Sequence, residues 1–404
     1  MRRLIWIFCI IIGISLIPIA TVSAQDETCS PQLIESANGL LAQARYTLET
    51  GDIITADTLI AAAQALLDSC ALIDILPTPV LTNTPFPTLP PTPSLNIPNA
   101  ETPEDVANTV IFSFGLATDD IRGVDFSPNG FYALATSFDS YAYLYDVESG
   151  EQVRLFEGHT DWVFNGDFTR DGTVLATASA DDTIRIWDVA SATTTEILTE
   201  HTENVTNVAF SPDATRLVST GQDNRVIVWD TSTWQPISTL TDHTDWVWDV
   251  VYSPDGAFFV TVSSDKIAIL WDAQTLRPVR RFVGHTDVVI AVDYSPDGQF
   301  IATASHDGLA ILWDVATGDP IRSFSGAESS AVMDVGFSPD GQSIIIASFA
   351  GFVHLWGVDG TAIATYSGHT STGVWAVQFS PDGRTFLSGA DDGGMLLNTV
   401  SIDR

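Results

Sequence analysis

Apolar and polar positions change their spacing twice along this chain. Between residues 30 and 75 the spacing is helical. Leu33, Ala37, Leu40, Leu41, Ala44 and Leu48 fall on one face, and Ala56, Leu59, Ile60, Ala63, Leu66, Leu67 and Cys70 form a second stripe after a break at Gly51 and Asp52. Ser30 can cap the first helix, with Pro31 at its first position. The pattern predicts a small helical hairpin over 25–76. Over 77–108 periodicity disappears. From residue 109 onward the spacing is that of strands. "WVFNGDF", "VLATAS", "TIRIWDV" and "ATTTEILT" are short β-branched and aromatic runs separated by turn residues. They imply four strands per copy of a longer unit.

That unit recurs. Trp187, Trp229, Trp271 and Trp313 are spaced by 42 residues, and Trp356 follows after a one-residue insertion. Tyr145 stands 42 residues before Trp187, and Asn398 stands 42 after Trp356. A turn of the type "SPDG" precedes each, beginning at Ser127, Thr169, Ser211, Ser253, Ser295, Ser338 and Ser380. This makes seven copies, and periodicity of this length decides architecture more firmly than a local motif does. The segment "NTVIFSFG" (108–115) reads as the last strand of a copy but lies before the first one. The seventh copy stops after its third strand, "GGMLLNTV". The N-terminal strand is therefore expected to complete the seventh unit, which removes exposed sheet edges.

Two pairs mark the ends of a unit, Gly158-His159 with Trp187-Asp188 and Gly284-His285 with Trp313-Asp314. With them, residues 109–404 resemble the WD40 family. The resemblance implies an all-β, seven-bladed β-propeller. It also implies a buried network in each blade: a His before the first strand, a hydroxyl on the second, an Asp in the tight turn and the Trp of the third. On this chain those positions are read as His159, Ser179, Asp181 and Trp187 in the second copy. They are His243, Ser263, Asp265 and Trp271 in the fourth, and His285, Ser305, Asp307 and Trp313 in the fifth. The remaining copies depart from the pattern. The third has Gly221 in the hydroxyl position. The sixth has Ala327 and Ala350 for His and Asp, the seventh Ala390 and Asn398, and the first Tyr145 with Ala117 at the His position.

Ser, His and Asp together also invite a hydrolase reading. A hydrolase needs one such set, an exposed strained Ser and an oxyanion hole, and no Gly-x-Ser-x-Gly elbow is present. A set repeated around a ring, always beside an indole, fits mutual satisfaction of buried polar groups better. No copy offers two ligands at zinc spacing. Acidic turns such as Asp181-Asp182 and Asp391-Asp392 leave calcium open, although no EF-hand or nonapeptide repeat is seen. No cofactor and no metal are expected.

Composition adds location and partner class. The 404 residues carry 16 Lys plus Arg against 51 Asp plus Glu, a formal charge of −35. That field repels phosphate backbones, so nucleic acid is not an expected partner. Arg2 and Arg3, the apolar run from Leu4 to Ala20 and the small residues Val22, Ser23 and Ala24 read as an export signal over 1–24. An uncleaved anchor is the alternative. After cleavage Cys29 and Cys70 remain, and they are expected to pair as a disulfide, with two buried free thiols the alternative. Between 77 and 103, fifteen of 27 residues are Pro or Thr, which suits an extended spacer or a sugar-coated stalk.

Propellers of the resembled family usually bind proteins or peptides on one narrow face. Carried over position by position, the face holds Phe138, Trp162, Phe164, Trp246, Trp248, Ile290, His306, Met333, Phe349 and Trp375, with Asp120, Arg122, Asn204, Thr206, Gln222, Ser264, Val288 and Asp391 beside them. Clustered aromatics anchor interfaces, although some rings can instead pack against neighbouring blades. The expectation is an exported, monomeric, non-enzymatic scaffold that binds a protein or peptide. The alternative is an extracytoplasmic enzyme or carbohydrate-binding protein using the central channel.

Overall fold

The computed structural model describes residues 110–114, 119–326, 330–370 and 373–400. The expected export signal (1–24), the expected helical hairpin (25–76) with Cys29 and Cys70, the expected spacer (77–108), Ala117 and Ala327 lie outside the described residues.

The described chain is all β, with 28 strands in seven four-stranded antiparallel sheets. Six sheets use consecutive strands. Blade 1, for example, is Ile121–Phe126, Tyr132–Ser137, Tyr141–Asp146 and Gln152–Glu157. The seventh is built from Val374–Phe379, Thr385–Ala390, Met395–Thr399 and, at its outer edge, the N-terminal strand Val110–Ser113. Val110 pairs with Asn398 and Ser113 with Leu396, so the ring is closed by a strand from its far end.

Strict in–out alternation is lost in the middle strands because each sheet is covered on both faces. Val174–Ser179 is buried at its last five positions, whereas the outer strand Thr193–Leu198 is mostly exposed. Neighbouring blades meet through aromatics. Phe156 on the outer strand of blade 1 packs edge-on against Trp187 of blade 2, with centroids 5.5 Å apart. Phe282 meets Trp313 edge-on at 5.8 Å, and Phe324 meets Trp356 at 5.9 Å with its ring tilted. Phe114, just after the closing strand, lies 5.2 Å from Tyr145 of blade 1. The closing segment thus places an aromatic contact across the seam, as blades 1 and 2, 4 and 5, and 5 and 6 do between themselves.

Each inner strand is joined to the second strand by the "SPDG" turn, and the second to the third by the tight turn that carries the relay Asp. In blade 3, Ser211 Oγ donates to Asp213 Oδ1 (2.6 Å), and Asp213 Oδ1 accepts from the Thr215 N–H (3.0 Å). The fourth residue of this turn is left-handed in every copy. Six copies place Gly there, but Ala214 holds φ 55° with a Cβ. An L-residue is disfavoured in that region. We expect Ala214→Gly to stabilise the domain by about 1 kcal/mol, read as a rise in melting temperature, whereas Gly256→Ala should lower it.

Candidate functional site: the mouth of the central channel

The repeated His, hydroxyl, Asp and Trp groups lie inside the blades. His159 Nδ1 is 2.9 Å from Asp181 Oδ2, and its Nε2 is 2.7 Å from Thr177 Oγ1. The Trp187 indole N–H donates to the same Thr177 Oγ1 at 2.8 Å. With Nδ1–H directed at the carboxylate, Nε2 accepts the threonine proton, and the relay runs from indole to hydroxyl to imidazole to carboxylate. Thr261 joins His243 to Trp271 in the same way, and Thr303 joins His285 to Trp313.

The hydroxyl therefore comes from Thr177, Thr261 and Thr303, two residues before the expected Ser179, Ser263 and Ser305. Residues two apart on a strand share a face, so periodicity does not separate them. The three serines stand at the strand end and serve the turn. Ser179 Oγ donates to the Asp161 carbonyl and accepts from the Asp181 N–H, both at 3.1 Å. The same correction restores two copies read as deficient. Blade 3 has a complete set in His201, Ser219, Asp223 and Trp229. Gly221 leaves no gap there, since a Cβ would stand 2.7 Å from His201 Nδ1. Blade 7 has His369, Ser388 and Asp392, with Asn398 donating to Ser388 at 3.4 Å. Blade 6 does lack the relay. Ile346 stands in the hydroxyl position, Ala350 in that of the Asp, and the buried Trp356 Nε1 has no partner among the described residues. In blade 1 Tyr143 reaches Asp139 instead, at 2.7 Å.

A second set of carboxylates joins the inner strands to one another. Asp167 accepts from the Phe210 N–H of the next blade (2.6 Å), Asp249 from Val292 (2.8 Å), Asp293 from Phe337 (2.7 Å) and Asp334 from Val377 (2.8 Å). Burial pushes Asp167 and Asp249 up to about 7 and Asp293 to about 6, against the lowering effect of these bonds. Burial raises Asp125 and Asp334 well above the usual carboxylate range. The relay aspartates go the other way. Burial would raise them, but the hydrogen bond and charge of the paired imidazole hold Asp181, Asp265 and Asp307 below the usual range.

The mouth itself is made by one device used seven times. The register between first and second strands slips at the second residue of every inner strand, so that Arg122, Phe164, Thr206, Trp248, Ile290, Met333 and Trp375 are each the extra residue of a β-bulge. A bulge re-aims its side chain out of the sheet's alternation. All seven line one cavity at the axis, together with Asn165, Asn207, Asp249 and Asp334 just below them. The cavity opens at the end where the inner strands begin.

The expected face residues sort into two groups around this opening. Phe138 stacks on Trp162 with centroids 4.1 Å apart, and Phe164 meets both edge-on. Arg122 lies against Phe138 (5.1 Å) and over Trp375 (3.6 Å), and Trp375 meets Phe349 at 5.5 Å. These rings form a continuous arc over blades 6, 7, 1 and 2. Trp246 and Trp248, in edge contact at 5.8 Å, form a separate pair on blade 4. Trp162, Trp246 and Phe349 are 44%, 43% and 42% exposed, so they stand free for contact, and His306 is also exposed. Phe138, Trp248, Ile290 and Trp375 are half-buried. Phe164 and Met333 are buried, and their contribution is to the wall of the mouth. Among the described residues no group of three or more His, Cys, Asp or Glu side chains is placed to hold a metal ion.

Seven four-stranded sheets around a narrow axial mouth, five of them locked by an internal His–hydroxyl–Asp relay, define a repeat propeller. Sequence comparison agrees: the model of the WD domain, G-beta repeat, matches residues 109–146, 150–188, 192–230, 234–272, 276–314, 318–357 and 360–397, more than half of the chain. The chain belongs to the WD40 family, whose propellers are typically non-catalytic scaffolds for protein–protein contact. Comparison with curated proteins finds no matching sequence.

Two outcomes follow from the buried groups. Thr261→Val should cost about 2–3 kcal/mol, because both His243 Nε2 and the Trp271 indole lose their partner, and more than Ser263→Ala at about 1 kcal/mol. Asp265→Ala should cost about 1–3 kcal/mol, all three read by thermal or denaturant melts. Raised carboxylates such as Asp167, Asp249 and Asp293 favour the folded state when protonated, so stability should fall as pH rises from about 4 to about 7. Below about 4 the imidazole-paired aspartates lose their contribution, so the melting temperature should peak at mildly acidic pH. Asp293→Asn should flatten the slope between about pH 4 and about 6. The net charge acts alike on both proteins, so the difference isolates this carboxylate.

Proposed function

We propose that this protein is an exported, non-enzymatic scaffold that binds a protein or peptide across the mouth of its propeller. The observation that supports it is the convergence of seven bulged residues and two aromatic groups on one opening, with three large rings left over 40% exposed. Such rings supply contact area at low entropic cost and are the usual anchors of interfaces. The relay residues face inward and are fully engaged, which argues against chemistry by them. Export rests on the N-terminal pattern of residues 1–24, and Pro/Thr-rich residues 77–103 suit a spacer that holds the propeller away from that end.

A carbohydrate in the channel is the second reading, favoured by Trp248 and Trp375 beside Asn165, Asn207, Asp249 and Asp334. Against it, Asp249 and Asp334 already accept backbone N–H groups from the next blade and from their own strand, and Asn207 donates to Asp249. Those groups are committed to holding inner strands together.

Replacing Trp162, Trp246 and Trp248 with Ala together should reduce recovery of a cross-linked envelope partner by about tenfold or more, and the pair Trp162→Ala with Trp246→Ala, both exposed, should reduce it with the melting temperature nearly unchanged. Unaltered recovery would refute the face as the binding surface.

A further inference from the structure

The mouth has a charge pattern that narrows its partner. Of the seven bulged residues only Arg122 is charged, and no other Arg or Lys lines the cavity. Its guanidinium is held over Trp375 and beside Phe138. Burial lowers it to about 10 against the opposing pull of Asp120 and Asp391, so it remains a cation at neutral pH. It makes no ion pair or hydrogen bond with any described side chain, although its nitrogens are not sealed from solvent. Of the two acids that pull on it, Asp120 and Asp391, the second accepts from the Trp375 indole.

Around this cation stands a ring of the opposite sign. Two residues before each inner strand, blades 1 to 5 carry Asp119, Asp161, Glu203, Asp245 and Asp287, all exposed. Four of them use one carboxylate oxygen to cap the next backbone N–H, at 2.8–2.9 Å, which fixes them at the rim. Read outward from the axis, the face runs from one cation through an aromatic belt to an acidic rim. A ligand that matches all three zones carries its own charges in the reverse order.

We propose that the mouth receives a peptide segment in which one Asp or Glu side chain is flanked, across apolar residues, by Lys or Arg. Its carboxylate sits on the Arg122 guanidinium and its basic side chains lie over the acidic rim. A guanidinium fixed by ring stacking presents its N–H fork to a carboxylate, and its desolvation by the aromatic belt strengthens that pairing. A phosphate fits less well. It takes several cations to hold a dianion, and here one Arg is surrounded by carboxylates at the rim and below. The chain's charge of −35 draws basic flanks towards the face and disfavours an acidic partner lacking them. The inference rests on the mouth being the binding surface and adds the chemistry of what it binds.

The test is calorimetric titration of the full-length chain with acetylated, amidated heptapeptides Lys-Gly-Leu-X-Leu-Gly-Lys, where X is Asp, Asn, Lys or phosphoserine. The Asp peptide should bind ~10-fold or more tighter than the Asn peptide, and exchanging its two Lys for Glu should abolish binding. Arg122→Gln should erase the Asp-over-Asn preference and Arg122→Lys should retain part of it. A melt of each variant shows that the blade is intact, and Arg122→Lys keeps the test decisive if Arg122→Gln does not fold. Equal affinity for Asp and Asn, no heat with the Asp peptide, tightest binding of the phosphoserine peptide, or a preference that survives Arg122→Gln each overturns the proposal. If the peptide series is flat while the Trp162, Trp246 and Trp248 replacement still loses its envelope partner, the face reading stands and the charge reading alone fails.

Discussion

An indole buried at the centre of a sheet must find an acceptor for its N–H, and most of this domain is organised around that requirement. In blades 2 to 5 the acceptor is a hydroxyl, which in turn donates to the imidazole of the His that lies four residues before the inner strand. The imidazole in turn needs a carboxylate, and the carboxylate sits in the tight turn, where it also accepts backbone N–H groups such as Thr160 and Thr183. One buried donor thereby fixes the chain entering the blade, the second strand and the turn leaving it. Removing any member leaves a costly orphan. Blade 6 shows the alternative. With Ile346 in the hydroxyl place, Trp356 relies on apolar packing against Phe324, Val335 and Ile344.

Holding the turns this firmly frees the residue next to them. The bulge at the second position of each inner strand takes one side chain per blade out of the sheet and gives it to the mouth. Because that residue pairs with nothing, its identity is free to vary: it is Arg, Phe, Thr, Trp, Ile, Met and Trp in successive blades. The scaffold is nearly uniform from blade to blade, and the lining of the mouth is where the copies differ. Below the mouth, inter-blade carboxylates tie the inner strands of blades 2 and 3, 4 and 5, 5 and 6, and 6 and 7.

Much of this was legible in residues alone. The recurrence of Trp and of the turn motif fixes blade number, and the stray strand at 110–113 together with the missing fourth strand after Met395–Thr399 announces the closure. The hydroxyl was misplaced because Thr177 and Ser179 share a face and a functional group. Only their height relative to Trp187, set by the pairing of Leu175 with Trp187, tells them apart. The carboxylates of Asp167 and Asp293 left one trace, an acid set against an aromatic inside an apolar strand, but their acceptor role joins residues 43 and 44 apart in different sheets. The grouping of the face rings was hidden too. Trp162 stacks on Phe138 of the preceding blade, away from Trp246 and Trp248, because blade curvature sets which rings meet.

The closing strand has a mechanical consequence. Four residues, Val110–Ser113, carry the junction between the ring and everything N-terminal to it. Any tension transmitted along the chain from that side enters the domain at the latch, and the pairs Val110–Asn398, Phe112–Leu397 and Ser113–Leu396 bear it before any other blade is loaded. Phe114, wedged against Tyr145 directly behind them, is then the stop that a pull must drag free before the seam can part.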